Sequence, residues 1–263
     1  MPAPIGVLAL QGDFREHRQT LAAIGVESVE VRTLADLSKS AGLIIPGGES
    51  TVMQKLAVAY DLFEPIHDAL KAGLPAFGTC AGLIMLADEI IDGIPGQAGF
   101  GGLDVSVRRN AFGNQLDSFE VDLEFQGVDG PPVHAAFIRA PIVERVGPGV
   151  EILSQLADGR VVGVRQGNLM GISFHPEVTG ETRIHELFVN MVRAGETGGV
   201  LDEVLGRVAD HLEQEALLLG ERTALSGGTL GIARRGAAAD VGELAREAGR
   251  KLEGIDVVVA HEE

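Results

Sequence analysis

The sequence predicts an α/β fold: a three-layer sandwich with a mostly parallel central sheet, antiparallel hairpins in its second half and a helical C-terminal extension. Three observations carry this. Short apolar runs alternate with segments of helical period as far as Gly82, the pattern of strands and crossover helices in a parallel sheet. From about Leu103 the texture changes to alternating strands joined by turn residues. The chain has 263 residues, 45% of them hydrophobic, which is enough to bury one large core and carry an appendage.

Residues 5–10 form an apolar run of strand length, and residues 13–24 carry Phe14, His17, Leu21 and Ile24 at helical spacing. With a second strand at 29–31 they make a βαβ opening. Another buried strand at 42–45 ends at Pro46-Gly47-Gly48. A helical stretch follows from Thr51 to about Leu70, then a strand at 75–78 and a helix starting near Leu83. In the second half, 119–125 alternates and 133–139 is strand-like. Residues 161–165 and 169–174, joined by Gln166-Gly167-Asn168, read as a hairpin. Residues 184–192 close the unit as a helix with Ile184, Leu187, Phe188 and Met191 on one face.

Beyond it, Leu201, Val204, Leu205, Val208, Leu212, Ala216 and Leu219 fall on one helical stripe. Ser226-Gly227-Gly228 and Arg234-Arg235-Gly236 read as loop, and Val241, Leu244, Ala245, Ala248 and Leu252 as a second, shorter helix before the apolar run 255–259. The expected division is therefore a domain at 1–196 and an extension at 197–263, helical or partly disordered. Its stripe has to be covered by the chain's own surface, by a partner or by a second copy.

The net charge is −17, from 21 Lys and Arg against 38 Asp and Glu, and the acidic excess runs along the whole chain. Such a surface repels phosphate backbones and anionic lipid, so neither nucleic acid nor membrane is an expected partner. No stretch approaches the ~18 apolar residues of a membrane span, and the first residues lack the basic and apolar regions of a signal peptide. A cytoplasmic location is expected. The single cysteine, Cys80, rules out an intramolecular disulfide and is either an inert core residue or a reactive thiol.

Three chemically distinctive segments sit at predicted strand ends, where ligands bind in open α/β sheets. They are Pro46-Gly47-Gly48-Glu49-Ser50, Gly78-Thr79-Cys80-Ala81-Gly82 and His175-Pro176-Glu177. Gly78-x-Cys80-x-Gly82 between strand and helix has the spacing of a nucleophile elbow, although a purely structural turn fits the same residues. A nucleophilic cysteine needs a base and a group to orient that base. His175 and Glu177, two residues apart with Pro176 between them, have the spacing for a carboxylate to reach the far ring nitrogen. A lone histidine at a strand end is also commonly structural. The other histidines illustrate this: His17, His67, His185 and His211 fall on predicted helices, His134 on a strand and His261 near the terminus. None clusters with Cys80 at a metal-ligand spacing, so no metal is expected.

Taken together, the segments resemble a known family. Besides the three above they include Val7-Leu8-Ala9-Leu10-Gln11-Gly12, Arg15-Glu16-His17, Arg109-Asn110-x-Phe112-Gly113, Asp117-Ser118-Phe119-Glu120 and Phe137-Ile138-Arg139-Ala140-Pro141. They are similar to the glutaminase subunits of pyridoxal 5′-phosphate synthase, which are triad (class I) glutamine amidotransferases with a flavodoxin-like sandwich. The resemblance covers about residues 4 to 195. It implies hydrolysis of L-glutamine to L-glutamate and ammonia by Cys80, His175 and Glu177. It further implies an oxyanion site at Gly47, Gly48 and Ala81 and a glutamine pocket of Gly48, Glu49, Ser50, Arg109, Ile138 and Arg139. For Arg109 and Arg139, structural ion pairs are the competing reading. The implied partner is a (β/α)8-barrel synthase that joins the ammonia to a pentose phosphate and a triose phosphate. Pyridoxal phosphate is then a product of the complex and no cofactor is expected here. Pro46-Gly47-Gly48-Glu49-Ser50-Thr51 lacks the lysine of a phosphate-binding loop. Three alternatives share some of these features: a glutaminase subunit of another amidotransferase such as the histidine-pathway enzyme, a cysteine-elbow stress protein or peptidase, and a non-catalytic regulatory subunit with the same fold.

Overall fold

The structure is a computed structural model that describes residues 3–109 and 118–196. The expected extension at 197–263 and the motif residues Asn110, Phe112, Gly113 and Asp117 lie outside the described residues.

The βαβ opening is β1 (Ile5–Leu8), α1 (Phe14–Ala23) and β2 (Ser28–Val31), followed by a one-turn α2 (Leu34–Leu37) and β3 (Gly42–Ile45). Thr33 and Asp36 form a reciprocal capping box that starts α2. Where the sequence predicts one helix from Thr51 to Leu70 there are two, α3 (Ser50–Ala59) and α4 (Phe63–Ala72). The break is at Asp61, whose φ of 55° lies in the left-handed region that ends helices and that Asp tolerates better than most residues. α4 ends on Gly73 in the same region.

β4 (Ala76–Thr79) leads into α5 (Ala81–Leu86), which starts two residues earlier than expected and runs straight into β5 (Ala87–Ile91). Residues 81–87 are all buried, so their apolar run carries no period to mark the change from helix to strand. β6 (Leu103–Arg108), β7 (Phe119–Leu123), β8 (Val133–Phe137), β9 (Ile142–Val146), β10 (Glu151–Gln155), β11 (Val161–Gln166) and β12 (Leu169–Ile172) follow. A one-turn α6 (Pro176–Thr179) and the long α7 (Arg183–Glu196) complete the described chain.

The main sheet has the order β2-β1-β3-β4-β12-β11-β9-β6-β5, with β10 pairing β11. Five of its pairings are parallel and four antiparallel. β11 and β12 form the hairpin expected from the sequence, and β7 and β8 make a separate antiparallel pair. The neighbours β1, β3, β4 and β12 are mutually parallel, so their carboxyl ends open on the same edge.

Alternate residues of these strands feed two cores. Leu43 and Ile45 of β3 join Met53, Ile66 and Leu83 from α3, α4 and α5 on one face. Ile44, Phe77, Met170 and Ile172 join Leu21 of α1 and Ile184 and Phe188 of α7 on the other. This is the three-layer arrangement, with the sheet buried on both sides. The β7–β8 pair covers the second face, where Phe137 lies against Phe174. Each such side chain contributes about 1.5–3 kcal/mol by leaving water. Among the described residues no helix is long and apolar enough to cross a membrane.

Candidate active site

The carboxyl ends of β1, β3, β4 and β12 each deliver one piece of the site. At the end of β4, the Cys80 amide still donates to the Ile172 carbonyl of β12, at 2.9 Å, before the chain turns sharply. Cys80 takes φ 47° and ψ −101°, a conformation that costs a non-glycine residue roughly 1–3 kcal/mol. Packing explains the two flanking glycines. A Cβ on Gly78 would overlap the Gly82 carbonyl, and one on Gly82 would overlap the Ile45 carbonyl of β3. Glycine at both places lets α5 lie directly on the strand ends, which forces the turn that lifts Cys80 out of the sheet.

From the end of β12, His175 is anchored by its amide, which donates to the Ala136 carbonyl of β8 at 3.0 Å. Pro176 opens α6 with its φ already set for a helix. This single turn brings Glu177 back onto the imidazole: His175 Nδ1–H donates to Glu177 Oε1 at 2.7 Å. That leaves Nε2 for the Cys80 thiol, with which the ring is hydrogen-bonded. Burial pulls His175 toward its neutral form, but Glu177 and Cys80 outweigh it and hold the imidazole well above its ordinary range. Burial likewise works against ionisation of Glu177, and the facing His17 and His175 overcome it, bringing this carboxyl down to about 2. The geometry therefore joins a thiol, an imidazole and a carboxylate in one line, an arrangement able to carry out acyl transfer.

A second carboxylate faces the same imidazole. Asp13 occupies the N-cap position of α1 without making a side-chain cap, and its Oδ2 lies 3.5 Å from His175 Nδ1. Burial raises its carboxyl above the usual range, with the Glu177 charge adding and the His175 charge opposing. Asp13, His175 and Glu177 form a group able to offer three ligand atoms to a metal ion. The 2.7 Å contact between Nδ1 and Oε1 is hydrogen-bond length and needs a proton on the nitrogen that a metal would have to occupy.

β3 ends in the Gly47-Gly48 turn, which lies under the imidazole. A Cβ on Gly47 would overlap His175 Cε1, and one on Gly12 would overlap the Gly47 carbonyl. Gly48 has φ 134°, and the buried Gln11 lies against its Cα. Gln11 Oε1 accepts from the Glu49 amide at 3.1 Å, while its Nε2 is buried without a described partner. Glu49 Oε2 caps α3 by accepting from the Val52 amide at 2.8 Å. Its Oε1 accepts from Arg109 Nη2 at 2.7 Å. Arg109 Nη1 donates to Gln97 Oε1 at 2.6 Å, and Gln97 Nε2 donates to Ser50 Oγ at 3.0 Å.

The structure thus brings the predicted Glu49, Ser50 and Arg109 together, in an ion pair that leaves Ser50 buried. Ala81 follows Cys80 as the first residue of α5. Ile138 and Arg139 are placed differently: they lie just past the end of β8, two and three residues beyond the Ala136 carbonyl that holds His175. The sequence predicts a strand through Arg139, but it stops at Phe137 because Arg139 turns to φ 46°. No described residue pairs with the half-buried Arg139.

Sequence reasoning missed Asp13, Gln97 and His17. His17 stood as an example of an uninvolved helix histidine, yet it is fully buried under the site, with Nε2 3.6 Å from Glu177 Oε1. Its spacing from Leu21, on the buried face of α1, was the available signal.

A model of the SNO glutamine amidotransferase family matches residues 7–194. The pyridoxal 5′-phosphate synthase subunit PdxT of Clavibacter sepedonicus is 59% identical over 203 residues, covering 74% of this chain and 97% of that relative. The subunit of the same name from Frankia alni is 55% identical over 194 residues, with the same coverage of 74% and 97%. A crystal structure described as a glutamine amidotransferase superposes with a TM-score of 0.67 at 48% identity, covering 72% of this chain and 98% of the other. PurLQS from Thermotoga maritima, at 20% identity and a TM-score of 0.54, shares the fold alone.

Proposed function

Because the chain belongs to the SNO glutamine amidotransferase family, we propose that it is the glutaminase subunit of a pyridoxal 5′-phosphate synthase, hydrolysing L-glutamine to L-glutamate and ammonia. The observation that carries the reading is the elbow at Cys80, strained and hydrogen-bonded to an imidazole whose other nitrogen is held by Glu177.

With a proton held on His175 Nε2, the Cys80 sulfur attacks the side-chain amide carbon of glutamine. Charge on the amide oxygen is met by backbone N–H groups of Ala81 and of the Gly47-Gly48 turn. His175 returns the proton to the nitrogen and ammonia leaves, forming a γ-glutamyl thioester. Water, deprotonated by the same imidazole, then attacks the thioester carbonyl. Glutamate departs and the proton stays on His175. Throughout, Glu177 keeps the proton of the neutral ring on Nδ1 and stabilises the imidazolium. Glu49 and Arg109 present opposite charges side by side, which suits the ammonium and carboxylate of an amino acid's α-carbon. Gly48, Ser50, Ile138 and Arg139 complete the pocket.

Ammonia passes to the partner subunit of the synthase, a (β/α)8-barrel that combines it with a pentose phosphate and a triose phosphate in the cytoplasm. The test is Cys80→Ala assayed for glutamate release with and without the barrel subunit. Turnover is expected to fall by several orders of magnitude while partner binding persists. Release at more than about a tenth of the wild-type rate would exceed what a lost nucleophile allows and overturn the assignment.

A further inference from the structure

Two histidines from different helices meet behind the Cys80–His175–Glu177 line. His17 of α1 and His185 of α7 are both fully buried, and His17 Nδ1 lies 2.9 Å from His185 Nε2. Both rings pack edge-on against Phe77 of β4. The far nitrogen of His17 lies 3.1 Å from Thr79 Oγ1, the residue before the nucleophile. The same nitrogen is 3.6 Å from Glu177 Oε1, the oxygen that accepts from His175.

We propose that His17 is a positioning residue for the glutaminase triad, and that His185 fixes it in the Nε2–H tautomer so that this N–H faces Thr79 and the Glu177 carboxylate. The inference rests on the glutaminase reading for its role, and on proton accounting for its form. Burial, the largest influence on both rings, holds each below its ordinary range, His185 at about 3, so each is neutral and carries one ring proton. One of the two facing nitrogens must donate. With the proton on His17 Nδ1, the Nε2 lone pair would face an ionised carboxylate at 3.6 Å. With it on Nε2, that lone pair is replaced by a donor, and His17 Nδ1 accepts from His185 Nε2–H. The Thr79 hydroxyl can donate or accept, so both arrangements satisfy the hydrogen bonds to His185 and Thr79, but only the second attracts the Glu177 carboxylate.

The consequence falls on Glu177. Its Oε2 is buried without a described partner, so the carboxylate is held through Oε1 alone, by His175 and by the facing N–H of His17. Losing that N–H would ease protonation of Glu177 and loosen its grip on His175. The other groups facing this cluster are Asp13 and Glu16 of α1, His175, Cys80 at the end of β4, and the Glu181 backbone beside His185. A core leucine would fill the same space at lower desolvation cost. An imidazole aimed at the carboxylate oxygen and a second that orients it are accounted for by the positioning role.

The test uses the full chain with its barrel partner. His17→Leu is expected to lower kcat 10- to 100-fold with KM for glutamine within twofold, and to move the acid limb of kcat/KM to higher pH. His17→Gln, whose amide can donate, is expected to recover at least half of the lost activity on a logarithmic scale and to restore the limb. Equal kcat and unshifted limbs in both variants would overturn the proposal. Should His17→Leu fail to fold, nitrogen-15 spectra of the wild-type chain decide independently of activity. A His17 signal in the Nε2–H tautomer supports the proposal, and the Nδ1–H tautomer refutes it whether or not Cys80 proves to be the nucleophile.

Discussion

The imidazole of His175 is constrained from three directions. Its amide is tied to β8, its Cε1 leaves no room for a side chain on Gly47, and one nitrogen is held by a buried carboxylate. Glu177 sets the tautomer, so replacing it should damage the chemistry more than the binding. In Glu177→Gln the amide can rotate and offer its NH2 to Nδ1, which stabilises the tautomer that cannot accept the Cys80 proton at Nε2. We expect kcat to fall on the order of 10²- to 10⁴-fold, as when the orienting carboxylate of a triad becomes an amide, with little change in KM. Steady-state glutaminase kinetics with the partner check this, and a kcat within threefold of wild type would remove Glu177 from the mechanism. The three residues were legible in the sequence because each sits beside a residue with a backbone signature: glycines around Cys80, proline between His175 and Glu177. Asp13 and His17 were not, because a helical period tells which face a residue occupies and nothing about the strand end that the face covers.

At the scale of elements, the site exists because four parallel strands stop at the same edge and α5 is allowed to touch them. That contact depends on Gly82, where any Cβ meets the Ile45 carbonyl. Gly82→Ala should displace α5 and the elbow together, costing about 1–3 kcal/mol by overpacking and lowering turnover at least tenfold. Gly195→Ala, in α7, has its nearest neighbour 3.9 Å away at Pro75 and should be neutral or stabilising by up to ~1 kcal/mol. Denaturant melts of the two variants separate a steric requirement from the general cost of losing a glycine, and similar stabilities would contradict it. The same contrast explains what the sequence revealed about the fold. Strands flanked by glycine or proline, such as β3, β4 and the β11–β12 hairpin, were readable. No separate signal marks β5, which continues the buried run of α5, nor β9 and β10, whose exposed Glu144 and Glu151 break the apolar pattern. The split of one long helix into α3 and α4 depended on a single residue, Asp61, that most helices would tolerate on their surface.

For the whole molecule, burying ionisable groups beneath the site ties stability to pH. His185, at about 3 against an ordinary 6.5, and His17, also lowered, take up protons more readily when unfolded. Their stabilisation is present above pH 6.5 and is lost as pH falls toward 3. Glu177, at about 2 against 4.5, adds a loss of the same sign between those values. His175 acts oppositely, with stability present below 6.5 and lost as pH rises through its elevated folded value, and Asp13, raised on folding, favours the folded state on acidification. Three groups against one below pH 6.5 give a net loss. Denaturant midpoints should fall from pH 7 to pH 4, and less steeply in His185→Phe; parallel slopes would show that His185 is not part of the linkage. The residues after α7 bear on a different property of the whole chain. Every residue assigned to the triad, the oxyanion site and the pocket precedes Glu196, and the region matched by the family model ends at 194. The stripe from Leu201 to Leu219 offers an apolar face and no group that the reaction needs. Docking that face on the partner or on another copy would change assembly while leaving the chemistry in place. A chain ending at Glu196, which keeps all of α7, should therefore retain glutaminase turnover in the presence of its partner within about threefold, under ~1 kcal/mol in the barrier. If the shortened chain folds and binds its partner subunit but has lost turnover, residues 197–263 reach the active site and the division of the chain at 196 is wrong.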